Sequence, residues 1–302
     1  MGQYYETKTT GESVSQVVTS ISELLFRPER PGQPDKMPVV YADKHGLPVL
    51  HTTETEPAAE PRNEEISILW HELLTPLTVI KGYTSTLLNF SSSITPEERQ
   101  KYIQGIDSAS DRVIKLLDDL RDITNMDKPQ QLHKELFCVT DLIRAVISDM
   151  QFQAKENKVE LLPCGRLPLV EGDPERIRQV LQNLIGNAIK YSRHNEPIEI
   201  EVSMVRSERE LRSQYGDTPS LKVPCIVVSV SDDSVGIPEN DLENIFQRFY
   251  RVKNKLTKSV PGAGLGLYIC KRIMENHGGA IWARNKYHQK GSIFRFSLPL
   301  NR

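Results

Sequence analysis

Apolar residues recur at alternating spacings of three and four through Ile66, Leu69, Leu73, Pro76, Ile80, Tyr83 and Leu87, the seam of a helix that packs on other helices. On that register His71 and Thr75 point away from the seam and Glu72 flanks it. The helix thus presents water with an imidazole, a carboxylate one residue on and a hydroxyl one turn on. A second seam, Ile103, Ile106, Ala109, Val113, Leu116, Leu120 and Ile123, follows the helix-start signal Thr95-Pro96-Glu97-Glu98. The polar stretch from Asn89 to Ile94 joins the two into an antiparallel hairpin. One hairpin cannot bury both of its faces, and pairing two copies into a four-helix bundle solves this, so a homodimer is expected. Pro76 stands inside the helical pattern, where a proline removes a backbone hydrogen bond and tends to kink or end the helix.

After Asp127-Lys128-Pro129 the texture changes from long helices to alternating strands and helices, which sets three regions. Residues 1–61 form an N-terminal segment and polar linker, read as a small input region; 62–128 the helical hairpin; 129–302 a second domain. In the first region Val14, Val17, Val18, Ile21, Leu24 and Leu25 suggest a short amphipathic helix. Pro38 to Tyr41 and Leu47 to Leu50 flank a His45-Gly46 turn like a small hairpin, and Thr52 to Glu65 reads as linker. In the second domain Val139 to Asn157 reads as helix. A further helix is capped by Asp173, has Pro174 in its first turn and runs toward Tyr191. Strands are expected near Ile198 to Val205, Cys225 to Ser231, Ala280 to Asn285 and Ser292 to Leu298, with helices after Pro238 and after Gly264. The charged stretch Arg206 to Pro219 reads as an exposed loop. The predicted fold class is α+β: a dimeric four-helix bundle followed by an α/β sandwich whose mixed sheet is covered by helices on one face.

Composition removes several classes of function. A net charge of -2 over 302 residues gives no reason to invoke nucleic acid or an anionic membrane surface. No apolar stretch approaches the roughly 18 residues of a membrane span, and the N-terminus lacks a signal-peptide pattern, so a cytoplasmic location is expected. Cys138, Cys164, Cys225 and Cys270 are widely spaced without a C-x-x-C pair, which favours free thiols over a zinc site or a disulfide framework.

Asn183 and Asn187 stand four apart on one helix face, with Lys190 and Tyr191 a turn further on. Magnesium bound to a nucleotide takes one or two protein oxygens and keeps water and phosphate ligands otherwise, a role that suits the Asn187 amide. In Val230 to Pro238 an apolar strand runs into Asp232 and then Gly236. A carboxylate at a strand end can accept a hydrogen bond from an adenine amino group, and glycine lets the backbone approach the ring. The run Gly262-Ala263-Gly264-Leu265-Gly266-Leu267 opens a helix whose backbone N–H groups can face an anion, preceded by Arg248, Arg251, Lys253, Lys255 and Lys258. Each feature alone is ordinary: an exposed histidine, surface asparagines, an Asp-Asp-Ser turn followed by glycine. There is no G-x-x-x-x-G-K-[ST] of a P-loop enzyme, and Thr75 stands where a zinc protease would need its second histidine.

Together, and in this order, His71 to Leu77, the Asn183–Asn187 pair, Asp232 to Gly236, Phe246 to Val252 and Gly262 to Leu267 resemble the H, N, G1, F and G2 boxes of two-component sensor histidine kinases. The likeness covers about residues 62 to 300. It implies a dimerisation and phosphotransfer hairpin followed by an ATP-binding domain of the Bergerat type. By that resemblance His71 is the phosphoacceptor for ATP, Glu72 takes up or orients its proton, and Thr75 positions water for a reverse phosphatase activity. Asn183, Asn187, Lys190 and Tyr191 match the Mg²⁺ and phosphate contacts, with Asn187 as metal ligand, and Asp232 matches the adenine carboxylate. Arg248, Arg251, Gly262, Gly264 and Gly266 match phosphate-facing and lid positions. The implied partner is a response regulator whose receiver domain supplies an acceptor aspartate. Three positions depart from the pattern: Leu74 replaces a basic residue, Ser234 the first glycine of the G1 box, and Ala263 a hydroxyl residue. Leu74 and Ser234 motivate a competing reading, a degenerate dimeric scaffold that binds ATP without transfer. Another ATPase of the Bergerat type, such as a chaperone or topoisomerase subunit, would not need a histidine hairpin ahead of its nucleotide domain.

Overall fold

A computed structural model describes residues 40–42, 48–50, 60–90, 93–126, 132–154, 157–192, 196–216, 218–219, 221–252, 262–287 and 290–300. The chain divides into two compact units, Met1–Leu120 and Arg121–Arg302. The expected helix at Val14 to Leu25, the His45-Gly46 turn, most of the linker before Glu60 and the Asp127-Lys128-Pro129 boundary lie outside the described residues.

In the first unit β1 (Val40–Ala42) pairs antiparallel with β2 (Pro48–Leu50), followed by the long helix α1 (Glu60–Asn89) and by α2 (Pro96–Met126), whose residues from Arg121 on fall in the second unit. Thr95 and Glu98 close a reciprocal capping box at the start of α2: each backbone N–H donates to the other's side chain, at 2.9 and 3.2 Å. Helix α1 continues through Pro76. On either side of it the Thr75 and Thr78 hydroxyls donate to the carbonyls of His71 and Leu74, both at 2.8 Å. Leu69 and Pro76 are buried on α1 and Ala109 and Leu116 on α2, while the Tyr83 and Tyr102 rings meet with centroids 5.2 Å apart. Ile103, expected in the seam, is exposed, as are Trp70, Leu74 and Leu77 on α1 and Ile114 on α2.

The second unit is a layered α/β structure. A five-stranded sheet has the order β4 (Val159–Leu161), β6 (Ile198–Val205), β7 (Cys225–Ser231), β9 (Ser292–Pro299), β8 (Ile281–Asn285). Only the β4–β6 pair is parallel, so the sheet is mixed, as expected. Helices α3 (Val139–Ala154), α4 (Pro174–Tyr191) and α6 (Gly266–Asn276) pack together beside it. Ile177, Leu181, Leu184 and Ile185 make the buried stripe of α4, each fully enclosed. Outside this sheet β3 (Glu135–Phe137) pairs antiparallel with β5 (Val170–Gly172).

Two expectations require correction. The stretch after Arg206 is not a loop throughout, because Glu208–Tyr215 forms helix α5. Ser207 caps it by accepting the Glu210 N–H, and the Glu210 carboxylate accepts the Arg206 N–H at 2.7 Å. Its Leu211 and Tyr215 pack with Val205, Cys225, Val227 and Trp282. On β7 these contacts use Cys225 and Val227, which alternate with Ile226 and Val228, so α5 covers part of the sheet face opposite to that of the other helices. Burial also pushes the Cys225 thiol up to about 11, which keeps it inert. After Pro238 the chain forms two 3-10 turns, Glu239–Asp241 and Asn244–Phe246, rather than an α-helix. Local side-chain bonds compete there: Asn244 donates to the Asn240 carbonyl and the Tyr250 hydroxyl to Asp241.

The N-terminus of α4 is the most heavily tied point of this unit. Asp173 accepts the Arg176 N–H at one oxygen and the His133 N–H at the other, both at 3.1 Å. Its own N–H donates to His277 Nε2 at 3.0 Å, and His277 Nδ1 donates to the Ile273 carbonyl at 2.8 Å. That arrangement requires a neutral imidazole. Burial lowers the His277 pKa from its ordinary value, more than the Ile273 carbonyl and the Asp173 charge raise it. Because the folded value lies lower, the unfolded chain binds more protons across the window just below neutrality, and stability rises with pH there. The denaturant midpoint is therefore expected to fall from about pH 7 to about pH 5, with a flatter dependence in His277→Gln. Separately, Leu211→Ala should lower unfolding free energy by about 2 to 4 kcal/mol in the same measurement, because α5 is anchored on a buried cluster; a change near zero would mean that α5 is not docked.

Candidate active site

The start of α6 lies against the middle of α4 and the loop before it against the last turn of α4, and glycines permit the approach. A Cβ on Gly266, the first residue of α6, would lie 3.4 Å from Asn183 Oδ1, and one on Gly262 would lie 3.2 Å from Lys190 Nζ. A Cβ on Gly264 would come within 2.8 Å of the backbone at Phe249 and Tyr250, and its φ of +72° also favours glycine. Phe249 itself has a positive φ of 60°, a costly conformation for a phenylalanine, at the point where Gly264 presses on it. The side chains gather accordingly. The Arg248 guanidinium lies 4.8 Å above the Tyr268 ring of α6, and the charge of Arg251 acts on the Tyr191 phenol, whose pKa is nevertheless raised by burial. Asn183 is buried and Asn187 half-buried. Thus Asn183, Lys190, Tyr191, Arg248, Arg251, Gly262, Gly264 and Gly266 come together around the α4–α6 junction. Lys253, Lys255 and Lys258 lie outside the described residues.

The second part of the site is the turn after β7. Asp232 is 2% exposed and its carboxylate accepts three hydrogen bonds within the fold. One oxygen accepts the Ser234 N–H at 2.8 Å and the Ser292 N–H at 3.2 Å; the other accepts the Ser292 hydroxyl at 2.7 Å. Charge-assisted bonds of this kind are worth about 1.5 to 3 kcal/mol each, enough to hold a carboxylate whose burial is otherwise costly. The second oxygen keeps a free lone pair. Ser234 is no obstacle in the turn, since its φ is not positive and its hydroxyl accepts the Gly236 N–H at 3.3 Å. Gly236 has φ +82° and abuts Asn285, whose side chain accepts the Ile237 N–H at 2.7 Å and donates to the Ile237 carbonyl at 2.6 Å. Gly291 lets β9 start against the Asp232 carbonyl, and Lys286 pairs with Asp233. Ser292, Asn285, Gly291 and Lys286 were not singled out in the sequence. They lie some fifty to sixty residues downstream of the turn they hold (|i−j| 48 to 60), and no local pattern marks them.

His71, Glu72 and Thr75 belong to the first unit. His71 and Thr75 are exposed and Glu72 is half-buried, the orientation expected from the seam. The Thr75 hydroxyl spends its proton on the His71 carbonyl, which leaves its lone pairs to accept from water.

A nucleotide with magnesium fits this donor set. The glycines open a cradle that side chains would fill, a lysine and two arginines border it, and the Asn183 amide oxygen lies against it. Among the described residues no group of three or more His, Cys, Asp or Glu could hold a metal ion alone, so an ion here would share its ligands with phosphate and water. Among them, too, no helix is long and apolar enough to cross a membrane.

Comparison with known proteins follows this division. Residues 62–129 match the family model of the His Kinase A (phospho-acceptor) domain, and residues 172–302 that of the histidine kinase-, DNA gyrase B-, and HSP90-like ATPase. The sensor histidine kinase WalK of Bacillus subtilis (strain 168) is 33% identical over 258 residues, covering 83% of this chain and 39% of that protein. The sensor protein kinase WalK of Staphylococcus aureus is 32% identical over 256 residues, covering 84% of this chain and 57% of that sequence. The chain therefore spans only part of the length of these relatives. Among solved structures, the histidine kinase ThkA in complex with the response regulator protein TrrA matches with TM-score 0.54 and 26% identity, over 87% of this chain and 74% of that one. The Acinetobacter baumannii histidine kinase AdeS shares the fold at TM-score 0.55 and 22% identity, over 77% of this chain and 98% of that one.

Gly264→Ala should weaken binding of a fluorescent ATP analogue by about tenfold or more, because both the clash and the positive φ act on the loop that opens α6. Gly82→Ala, on an open face of α1 with nothing within 4 Å, should leave binding unchanged and serves as the control. Equal affinity in the two variants would show that the Gly262–Gly266 loop does not contact nucleotide.

Proposed function

Because this chain belongs to the two-component sensor histidine kinases, with both their phosphoacceptor and ATPase domains matched, we infer that it phosphorylates itself on His71 from ATP and passes the phosphate to a receiver aspartate. Residues 62–128 are the dimerisation and phosphotransfer hairpin in this reading, and 129–302 the ATP-binding domain. The observation that carries it is the pairing, in one chain, of an outward-facing histidine and a glycine-opened cradle bordered by Asn183 and Lys190.

The chemistry follows from the groups. A neutral His71 ring nitrogen attacks the γ-phosphorus of ATP, the bond to the β,γ-bridging oxygen breaks, and ADP leaves. Glu72, beside it on the same turn, receives or orients the proton carried by the other ring nitrogen. Asn183, Lys190, Arg248 and Arg251 and the N–H groups opening α6 bind the phosphates, and Tyr191 closes that end of α4. Asp232 accepts the adenine amino proton at its remaining lone pair, with Gly236 giving the ring room. Asn187 would hold a magnesium ion there, and the ion would offset phosphate charge. The phosphohistidine is a labile phosphoramidate, suited to onward transfer to a carboxylate, and Thr75 positions water for the reverse dephosphorylation.

The exposed apolar residues Trp70, Leu74, Leu77 and Ile114 support a homodimeric bundle that covers part of this surface. ThkA, solved with TrrA, supports a response regulator as partner. Use of ATP favours a cytoplasmic location for both domains. Ser234 serves its turn rather than disturbing it, which removes one motive for an inactive scaffold.

Incubation with Mg²⁺ and γ-labelled ATP is expected to give acid-labile, base-stable phosphate on the parent chain and none on His71→Gln. Binding of nucleotide without any label on the parent would overturn the kinase reading.

A further inference from the structure

Ser234 stands where the family pattern has a glycine, and the fold buries it with the two residues it serves: 5% of Ser234, 3% of Ser292 and 2% of Asp232 is exposed. A buried hydroxyl has to place its proton. The Ser292 hydroxyl donates to Asp232 Oδ2 at 2.7 Å, since a carboxylate only accepts. That spends the one proton of Ser292, so the Ser234 hydroxyl is the donor in the 3.4 Å contact between the two serine oxygens. Ser234 Oγ in turn accepts the Gly236 N–H at 3.3 Å. The protons thus run one way, from Gly236 through Ser234 and Ser292 to Asp232. Each hydroxyl polarised by the donor behind it donates more strongly to the acceptor ahead. The link between the serines is long for a hydroxyl pair, so its part is to orient Ser292 and not to anchor Ser234.

The two oxygens of Asp232 are served differently. Oδ1 accepts the backbone N–H groups of Ser234 and Ser292 at 2.8 and 3.2 Å, bonds that any residue at either position could supply. Oδ2 accepts the Ser292 hydroxyl alone among these groups, so the direction of its open lone pair follows from where that hydroxyl is held. A glycine at position 234 would keep the N–H bond to Oδ1. It would also leave the Ser292 oxygen without its donor and the Gly236 N–H without its acceptor. The side chain at 234 therefore acts on the oxygen that a base would address. We propose that Ser234 is a positioning residue for base selection: through Ser292 it fixes the open lone pair of Asp232 Oδ2, so that a purine with an amino group at C6 is held in preference to one with a carbonyl there. The inference rests on the reading of Asp232 as the adenine acceptor. An acceptor-only oxygen bonds the amino group and repels the carbonyl, and the discrimination is sharper the more firmly that oxygen is held. Restoring the family's glycine should thus cost selectivity instead of improving nucleotide binding.

The test displaces a fluorescent ATP analogue from the full chain, in Mg²⁺, with ATP or with inosine triphosphate, for the parent, Ser234→Ala and Ser234→Gly. Inosine triphosphate presents a carbonyl and a ring N–H where ATP has an amino group and a bare ring nitrogen. The parent should prefer ATP by about tenfold or more. Both variants should shrink that preference by about three- to tenfold, through weaker binding of ATP, while the affinity for inosine triphosphate stays within about twofold of the parent's. Should Ser234→Gly fail to fold by circular dichroism, Ser234→Ala, which removes a single oxygen atom, decides the question. A preference in Ser234→Ala within twofold of the parent's overturns the proposal. So does an equal loss for both nucleotides, which would mark Ser234 as a residue of the turn and nothing more. A parent that binds the two nucleotides equally overturns it as well, since Asp232 would then not read the group at C6. A parent that binds neither overturns the nucleotide-site reading and this proposal with it, an outcome distinct from the others.

Discussion

The carboxylate of Asp173 sits at the positive end of α4 and binds two backbone N–H groups, one from its own helix and one from the segment that enters the domain. Its backbone N–H reaches a histidine just past the end of α6. A negative charge at a helix N-terminus is favourable by roughly 0.3 to 1 kcal/mol on dipole grounds alone, and the capping bond adds to this. The larger consequence is geometric. With that end of α4 fixed and its apolar stripe sunk against the sheet and the neighbouring helices, the rotation and height of the helix are set. Asn183 is then brought against Gly266, and Lys190 against Gly262.

The nucleotide site as read here is a set of backbone approaches licensed by missing side chains. Gly264 lies on the Phe249–Tyr250 peptide, Gly236 beside Asn285, and Gly291 against the Asp232 carbonyl. Between them stands a carboxylate whose hydrogen bonds come from Ser234 and Ser292, and which therefore stays in place without a ligand to hold it. Preorganisation of this kind matters for phosphoryl transfer, where there is little covalent work for the protein and most of the effect comes from placement and charge. The hairpin contributes the opposite quality: an imidazole left exposed at the surface of its helix.

The face of the sheet opposite the large helices is also partly closed. Tyr215 on α5 stacks edge-on with Trp282, hydrogen-bonds Ser203 and lies under the Arg295 guanidinium, whose burial lowers its pKa. A seam of mixed aromatic and polar contacts so close to β7 stiffens the strand that delivers Asp232. The signal for α5 was present in the sequence, in Ser207-x-x-Glu210 as a capping box and in Leu211 and Tyr215 one turn apart. The density of charge around them made the stretch read as loop.

The sequence by itself determined whatever depends on near neighbours. The three-four spacing of apolar residues placed His71 outward, Asp173 and Pro174 started α4, and the alternation and β-branched runs located four of the sheet's strands to within a residue or two, because helix and strand periodicity are written locally. It also placed the five motifs in the order found in sensor histidine kinases. Tertiary structure alone decided which distant groups meet: Ser292 with Asp232, Asn285 with Ile237, His277 with Asp173, Asp122 with Arg176. Each pair joins segments separated by tens of residues, and the bond exists only because packing of the apolar faces has already brought those segments together. No local pattern of residues encodes such a meeting.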